Sequence, residues 1–213
     1  MRDLEKLGVL HTGTTTVGVV CTDGVIFVTD TRVTMGYFVA HKYGRKVYKI
    51  ADHMGMTIAG TAAHGQNVVE VLRANASLYA LQHGRPMPIA AAARLAANIL
   101  FGQRLVPLAL QAIIGGMDGS GPRLYALDPF GSVTEEKLFS TGSGSPIAYG
   151  ILETEFKEQL QVEDALPLSV KAVNSAMKRD IGSGDSFDVA IVSKEGYREL
   201  SEEEKQSVLA KIS

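Results

Sequence analysis

The sequence is poor in cysteine, in net charge and in long apolar runs. Cys21 is the only cysteine among 213 residues, so an internal disulfide is impossible, and we interpret it as a small buried strand residue. A formal net charge of −2 gives no electrostatic reason to expect binding to nucleic acid or to an anionic membrane. No apolar stretch approaches the roughly 18 residues of a membrane span.

Metal-ligand spacing is also missing, because the histidines at 11, 41, 53, 64 and 83 form no recognisable pattern. We therefore expect no metal and no organic cofactor. The first 13 residues carry four charged side chains and lack the apolar core of a signal peptide, which favours a cytoplasmic protein. A composition of 46% hydrophobic and 21% charged residues excludes a disordered chain. A length of 213 residues suits one domain, although length alone leaves two small ones open.

Hydrophobic periodicity predicts an order of strands, two helices, strands, two helices, strands and a last helix. The strands are expected at Thr14–Cys21, Val25–Thr31, Lys42–Ile50, Met54–Gly60, Leu108–Gly115, Arg123–Leu127, Ser132–Phe139, Phe187–Ser193 and Tyr197–Glu199. Helices are expected from about residue 61 to Gly84, from Pro88 to about Leu100, from Pro146 to Leu160, around Leu166–Met177, and after Ser201 and Glu204, which form a capping box. Hairpin-linked strands indicate antiparallel sheets.

Thr14 carries the most informative chemistry. It follows Gly13, and 13 residues precede it. A threonine hydroxyl is a weak nucleophile until a base takes its proton. Cleavage between Gly13 and Thr14 would create a free α-amino group, whose ordinary pKa of roughly 7.7–8 makes it a usable base near pH 7. One residue would then supply both the nucleophile and its base, although Thr14 read alone is an ordinary β-branched strand residue.

Asp30 and Lys46 are the candidate partners of Thr14. Asp30 ends an apolar run, where a carboxylate is costly to bury unless it is paired. A lysine would stabilise an emerging alkoxide, and an aspartate beside it would keep it charged. On a strand, Lys46 and Lys42 point to the same side, so parity leaves both open. Arg32 is expected to brace the local carboxylates.

These residues belong to a set of motifs that resembles the proteasome β subunits, most closely the archaeal type. The motifs are Thr14-Thr15-Thr16-Val17-Gly18, Thr29-Asp30-Thr31-Arg32-Val33-Thr34, Gly44-Arg45-Lys46, Met56-Thr57-Ile58-Ala59-Gly60, Gly142-Ser143-Gly144-Ser145, and Lys178-Arg179-Asp180 with Ser183-Gly184. Each motif is weak alone, but all six occur in the order of the family. Asp30 and Lys46 follow Thr14 by 16 and 32 positions, as in the family, which favours Lys46 over Lys42.

The resemblance implies an α+β fold, the four-layer αββα sandwich of the N-terminal nucleophile hydrolases. It implies a removable propeptide at 1–13 and a single catalytic domain at 14–213. The activity it implies is that of a threonine endopeptidase that removes its own propeptide and hydrolyses unfolded polypeptides. The implied catalytic residues are Thr14, Asp30, Lys46, Gly60, whose amide would hold the oxyanion, and Ser143, Asp180 and Ser183, which would support the nucleophile.

Substrate contacts and partners are implied in the same way. Thr34 and Ala62 match positions whose backbone pairs with an extended peptide. Val33, Tyr48 and Ile58 resemble positions of an apolar side pocket. The family stacks β subunits in heptameric rings between rings of α subunits, and a regulatory ATPase unfoldase feeds them.

Three other interpretations stay open at this point. The chain is a catalytically silent structural β subunit, or an unprocessed precursor, if the leader is retained. A bacterial relative that forms six-membered rings shares the core motif but is a shorter chain. An enzyme that cleaves small amides would share only the nucleophile. The C-terminal length and the set Ser143, Asp180 and Ser183 favour the proteasome.

Overall fold

The computed structural model describes residues 13–212, which form twelve strands and five helices. The first half contains β1 (Thr16–Val20), β2 (Gly24–Asp30), β3 (Val33–Met35), β4 (Phe38–His41), β5 (Val47–Ala51), β6 (Met54–Gly60), α1 (Ala62–His83) and α2 (Ile89–Gly102). The second half contains β7 (Leu110–Asp118), β8 (Gly121–Leu127), β9 (Val133–Glu136), β10 (Leu138–Thr141), α3 (Ser145–Glu155), α4 (Val162–Met177), β11 (Phe187–Ser193), β12 (Gly196–Glu199) and α5 (Glu202–Ile212).

Two five-stranded antiparallel sheets form the centre of the molecule. The first sheet has the strand order β10-β1-β2-β11-β12, and the second has the order β5-β6-β7-β8-β9. Strand β1 lies inside the first sheet, where Thr16 is paired with Thr141 of β10 and with Thr29 of β2. The residues that directly precede β1 therefore enter the sheet between β10 and β2.

Three apolar clusters separate four layers. Helices α1 and α2 cover the outer face of the second sheet, and their cluster includes Met56, Leu72 and Ala93. Helices α3, α4 and α5 cover the outer face of the first sheet. A third cluster joins the two sheets around Phe27 and Leu124. The predicted four-layer αββα sandwich is confirmed, because each sheet buries one face against helices and the other against its partner sheet.

Sequence patterning missed one hairpin, merged two strands into one and misplaced several boundaries. Strands β3 and β4 were not predicted. The run predicted as one strand, Ser132–Phe139, is two strands that meet at Lys137 and belong to different sheets: β9 pairs with β8, and β10 pairs with β1. Alternation of side chains cannot reveal this crossing, because both strands keep the same period. The strand predicted from Lys42 begins only at Val47, and the helix predicted to reach Leu160 ends at Glu155.

Most of the predicted leader lies outside the described residues, which include only its last residue, Gly13. Cys21 is buried as predicted, with 3% exposure, although it lies directly after β1 instead of within it. Within residues 13–212, none of the helices has both the length and the apolar character needed to cross a membrane.

Candidate active site

Thr14 lies at the entrance to β1 and is almost fully buried, with 3% exposure. Its hydroxyl Oγ1 donates a hydrogen bond of 2.6 Å to the carbonyl oxygen of Gly13. Its backbone N–H donates to Ser143 Oγ at 3.2 Å. The threonine hydroxyl is thus in contact with the peptide bond at which the leader was predicted to be cut.

Asp30 and Lys46 form a buried ion pair that is bonded to the backbone of Thr15, the residue after Thr14. Asp30 ends β2 and is fully buried, and its Oδ1 accepts hydrogen bonds from Lys46 Nζ at 2.6 Å and from Thr15 N–H at 2.9 Å. The second oxygen, Oδ2, accepts from the backbone N–H groups of Arg32 at 3.1 Å and Gly184 at 3.0 Å. All four partners are donors, so the ionised carboxylate is the form that satisfies them.

The electrostatics of the pair follow from burial. Removal from water raises the pKa of Asp30, while Lys46 and the backbone donors from Thr15 and Gly184 oppose that rise. Burial lowers the pKa of Lys46, and the charge of Asp30 opposes that fall. Lys46 therefore releases its proton at a lower pH than an exposed lysine does.

A hydroxyl–carboxylate network lies on the other side of Thr14. Ser143 Oγ, which accepts from Thr14 N–H, donates to Asp180 Oδ2 at 2.7 Å. Ser183 Oγ donates to the same oxygen at 2.6 Å and lies 2.7 Å from Thr15 Oγ1. Ser143, Asp180 and Ser183, which the sequence motifs alone had suggested as a set, therefore form one network that contacts residues 14 and 15.

Gly60 ends β6, a strand of the second sheet that contacts the start of β1. Thr57 of β6 and Thr16 of β1 bring their hydroxyl oxygens to 3.1 Å. Gly60 has φ of 120°, and a Cβ there would lie 2.2 Å from the carbonyl oxygen of Ala109. A glycine is therefore required at this strand end, and its predicted role in holding an oxyanion stays a prediction.

The predicted substrate-contacting residues occupy different surroundings. Thr34 is buried, and its side-chain Oγ1 accepts a 2.9 Å hydrogen bond from Gly13 N–H. Ala62 is the exposed first residue of α1, and Val33 and Tyr48 are half-buried. Ile58 is buried in the core beneath the helices. Their contacts with a peptide substrate stay predictions.

Sequence reasoning gave no role to several atoms that hold the site together. The backbone N–H groups of Thr15 and Gly184 both donate to Asp30. Arg32, expected to brace carboxylates, donates through Nε to Asp185 Oδ2 at 2.8 Å. Arg32 Nη1 also donates to the carbonyl of Ile181 at 3.0 Å. Backbone donors carry no side-chain signal in a sequence, although the Ser183-Gly184 motif indicated where this loop would be.

No cluster of three or more potential metal-ligating side chains occurs in the part of the chain that the structure describes. The donors around Thr14 are hydroxyls, backbone amides and one ammonium group. Such a set suits the activation of a hydroxyl, since the Lys46–Asp30 pair is bonded to the backbone of Thr15, the residue that follows Thr14.

Comparison with known proteins agrees with the geometry. The profile of the family described as "Proteasome subunit" matches residues 10–192. The proteasome subunit beta of Methanothermobacter thermautotrophicus is 47% identical over 195 residues, which are 91% of this chain and 93% of that protein.

Two further relatives extend the similarity. The proteasome subunit beta of Methanocaldococcus vulcanius is 48% identical, over 92% of this chain and 89% of that protein. The proteasome subunit beta 2 of Nitrosopumilus maritimus is 43% identical, over 94% and 95%. With a family match over most of its length and these relatives, the chain belongs to the proteasome subunit family, as a relative of the archaeal β subunits.

Proposed function

We propose that the protein is a threonine endopeptidase, the catalytic β subunit of a 20S proteasome core, activated when it removes its own propeptide. The observation that carries the proposal is the contact of Thr14 Oγ1 with the Gly13 carbonyl oxygen at 2.6 Å. The buried Lys46–Asp30 pair, which accepts the N–H of the following residue Thr15, supports it. In this proposal residues 1–13 are the propeptide and residues 14–213 are one catalytic domain.

The first reaction is the cleavage of the Gly13–Thr14 bond. Thr14 Oγ1 attacks the carbonyl carbon of Gly13, and the C–N bond of the peptide breaks. The Oγ1 proton ends on the Thr14 nitrogen, and Gly13 is then joined to Thr14 Oγ1 as an ester. Water hydrolyses this ester, which releases the Gly13 carboxylate and leaves Thr14 with a free hydroxyl and a free amine.

The second reaction is the hydrolysis of a polypeptide substrate by the freed Thr14. Its amine accepts the hydroxyl proton, and Lys46, held by Asp30, stabilises the alkoxide as it attacks the substrate carbonyl. The amide of Gly60 donates to the oxyanion, and one such donor is worth about 2.7–4 kcal/mol in well-studied enzymes. The leaving amine takes the proton, and water activated by the Thr14 amine hydrolyses the acyl-enzyme ester.

Ser143, Asp180 and Ser183 hold the Thr14 amine in this proposal. Ser143 Oγ is the hydrogen-bond partner of Thr14 N, and Asp180 fixes its direction. Thr34 and Ala62 would align an extended peptide through their backbones. Val33, Tyr48 and Ile58 are uncharged, which favours apolar residues before the cut.

We propose the assembly of the family for this chain. Its relatives are named as proteasome subunits, and β heptamers would stack between α rings with Thr14 facing an enclosed chamber. A regulatory ATPase would supply unfolded polypeptide, and the compartment would be the cytoplasm. A projection image with sevenfold symmetry is expected, and sixfold symmetry would contradict this assembly.

The experiment that tests the activity is the intact mass of the chain after co-assembly with its α subunit. We expect the mass to fall by that of residues 1–13, and the Thr14→Ala variant to keep the full mass and lose peptidase activity. Thr154→Ala is the matched control, because Thr154 is exposed on α3. A full-length wild-type chain in the assembled particle would support a silent structural subunit instead, and normal turnover by Thr14→Ala would remove Thr14 as the nucleophile.

A further inference from the structure

Gly13, the residue before the proposed cut, is buried and is held on three sides. Thr34 Oγ1 accepts its N–H at 2.9 Å, and Thr14 Oγ1 donates to its carbonyl oxygen at 2.6 Å. The third side is the backbone of Gly182, in the loop between α4 and β11. These three neighbours fix the position of Gly13 in the unprocessed chain.

The contact between Gly13 and Gly182 is closer than any side chain allows. A Cβ on Gly13 would lie 2.0 Å from Gly182 Cα, and a Cβ on Gly182 would lie 2.2 Å from Gly13 Cα. Non-bonded carbon atoms are best separated by roughly 3.5–4.0 Å. Either substitution would therefore push the two backbones apart by an ångström or more.

The constraint on Gly182 comes from the leader itself. The three atoms nearest to a Cβ on Gly182 all belong to Gly13, namely Cα at 2.2 Å, C at 3.1 Å and N at 3.2 Å. Gly182 is not among the glycines with positive φ, so an alanine can adopt its backbone conformation. Gly142 differs, because it has φ of 89° and its Cβ would meet the Thr14 carbonyl oxygen, which stays after cleavage.

We infer that Gly182 is a specificity-determining residue for removal of the leader, because its backbone occupies the space that a side chain at position 13 would need. The inference rests on the proposed function and separates two selections. The leader is selected by the absence of a side chain at its last residue. Polypeptide substrates are selected after Gly13 has left, when the space against Gly182 is open.

The size of the effect follows from the displacement. Thr34 and Thr14 hold Gly13 through single hydrogen bonds, so a Cβ on Gly182 would move the Gly13 carbonyl away from Thr14 Oγ1. A misplacement of about 1 Å between reacting groups can cost about 100-fold in rate. We therefore expect Gly182→Ala to slow leader removal by about 100-fold.

The test compares Gly182→Ala in two forms of the chain, each co-assembled with the α subunit. One form is full length, and the other begins with methionine directly before Thr14, which methionine aminopeptidase removes. Leader removal is followed by intact mass, and turnover is measured with a peptide substrate. Gly150→Ala is the matched control, because Gly150 lies on α3 with no atom within 4 Å of its Cβ direction.

The expected result is that full-length Gly182→Ala assembles with its leader attached, while the leader-free variant stays within about threefold of leader-free wild type. The alanine keeps the Gly182 N–H that donates to Asp180 Oδ1. Leader removal at the wild-type rate would overturn the inference. Equal loss of turnover in the leader-free variant would also overturn it, since Gly182 would then serve both reactions.

The wild-type controls separate this inference from the proposed function. If the full-length wild type keeps its leader and the leader-free wild type is inactive, the proposed function fails and the inference falls with it. If both wild-type forms behave as active enzymes, any failure concerns Gly182 alone. The Gly150→Ala variant must be cleaved like wild type, because it adds a methyl group in open space.

Discussion

At the scale of single residues, Asp30 connects three parts of the chain. Its two oxygens accept from Lys46, from the backbone beside Thr14, and from the loop that carries Ser183 and Gly184. A carboxylate can be fully buried at this position because both of its oxygens accept hydrogen bonds. The same residue therefore stabilises the fold and orients the charge near Thr14.

Replacing Lys46 with alanine is expected to block both leader removal and turnover, because the charge next to Thr14 is lost. It would also leave the Asp30 carboxylate buried without its cation, which typically costs about 3–5 kcal/mol. Intact mass, peptidase assays and urea unfolding check these effects. Lys49→Ala is the matched control, since Lys49 forms an exposed ion pair with Asp52 and is expected to change stability by less than about 1 kcal/mol.

The decisive measurement uses leader-free Lys46→Ala protein that is still folded. Wild-type turnover in that sample would show that Lys46 has no part in tuning Thr14. Loss of turnover with unchanged assembly would agree with the proposed role. The leader-free form is needed because a full-length variant that keeps its leader is inactive for that reason alone.

The burial of the Cys21 thiol leads to a second prediction for a single residue. Burial raises its pKa to about 12 from 9.0, and the nearby charge of Asp23 adds to the rise. A raised thiol pKa means that the neutral form persists to higher pH, and the neutral thiol is unreactive. We expect no labelling of the folded protein by a thiol reagent at pH 8.5, and one equivalent after denaturation. Rapid labelling of the native protein would contradict this assignment.

At the scale of elements, the sequence predicted those strands and helices that have an uninterrupted period. Leu166, Val170, Val173 and Met177 all pack in the cluster beneath the first sheet, as their helical spacing indicates. The hairpin of β3 and β4 was missed because its side chains are largely exposed and show no clean alternation.

In the candidate site, too, some residues could be predicted from the sequence and others could not. Asp30 could be selected from the sequence because a carboxylate in an apolar run requires a partner, whereas only the spacing of the family favoured Lys46 over Lys42. The backbone donors of Thr15 and Gly184 could not be selected, since every residue carries the same amide. The contact of Gly182 with Gly13 depends on the path of two loops, which no local pattern encodes.

The start of α5 shows how a local motif becomes a stabilising contact. Ser201 N–H donates to Glu204 Oε2 at 2.8 Å, and Glu204 N–H donates to Ser201 Oγ at 3.3 Å, so the predicted capping box is confirmed. Ser201→Ala is expected to lower the free energy of unfolding by about 1 kcal/mol, measured by urea denaturation. Ser207→Ala, an exposed change on the same helix, should have a smaller effect, and equal effects would contradict the capping role.

At the scale of the whole molecule, the two sheets depend on a thin apolar layer. Phe27 is fully buried there, and its ring lies so close to Gly55 and Gly115 that a Cβ on either would be 3.1 Å away. The glycines leave room for the ring, and the ring fills the space that they leave. The close packing of the two sheets at this point therefore depends on the Phe27 ring and on the lack of side chains at Gly55 and Gly115.

Phe27→Ala is expected to lower the free energy of unfolding by about 3–5 kcal/mol, because it opens a cavity between two rigid sheets. Urea unfolding of the purified chain measures the change. Phe130→Ala is the matched control, since Phe130 is 60% exposed and should change stability by about 0.5 kcal/mol or less. Equal losses in the two variants would show that the layer between the sheets can collapse around the gap.

The position of β1 inside its sheet has a consequence for the order of events during synthesis. Strand β1, the first strand in the described part of the chain, pairs with β10, and Thr14 and Thr15 bond to Ser143 and Ser183, which lie 129 and 168 positions later in the chain. Contacts of such long sequence separation form late, because closing a large loop costs entropy before it is rewarded. Thr14 is therefore synthesised long before Ser143 and Ser183, and if it acts as proposed, the topology delays leader removal until translation is nearly complete.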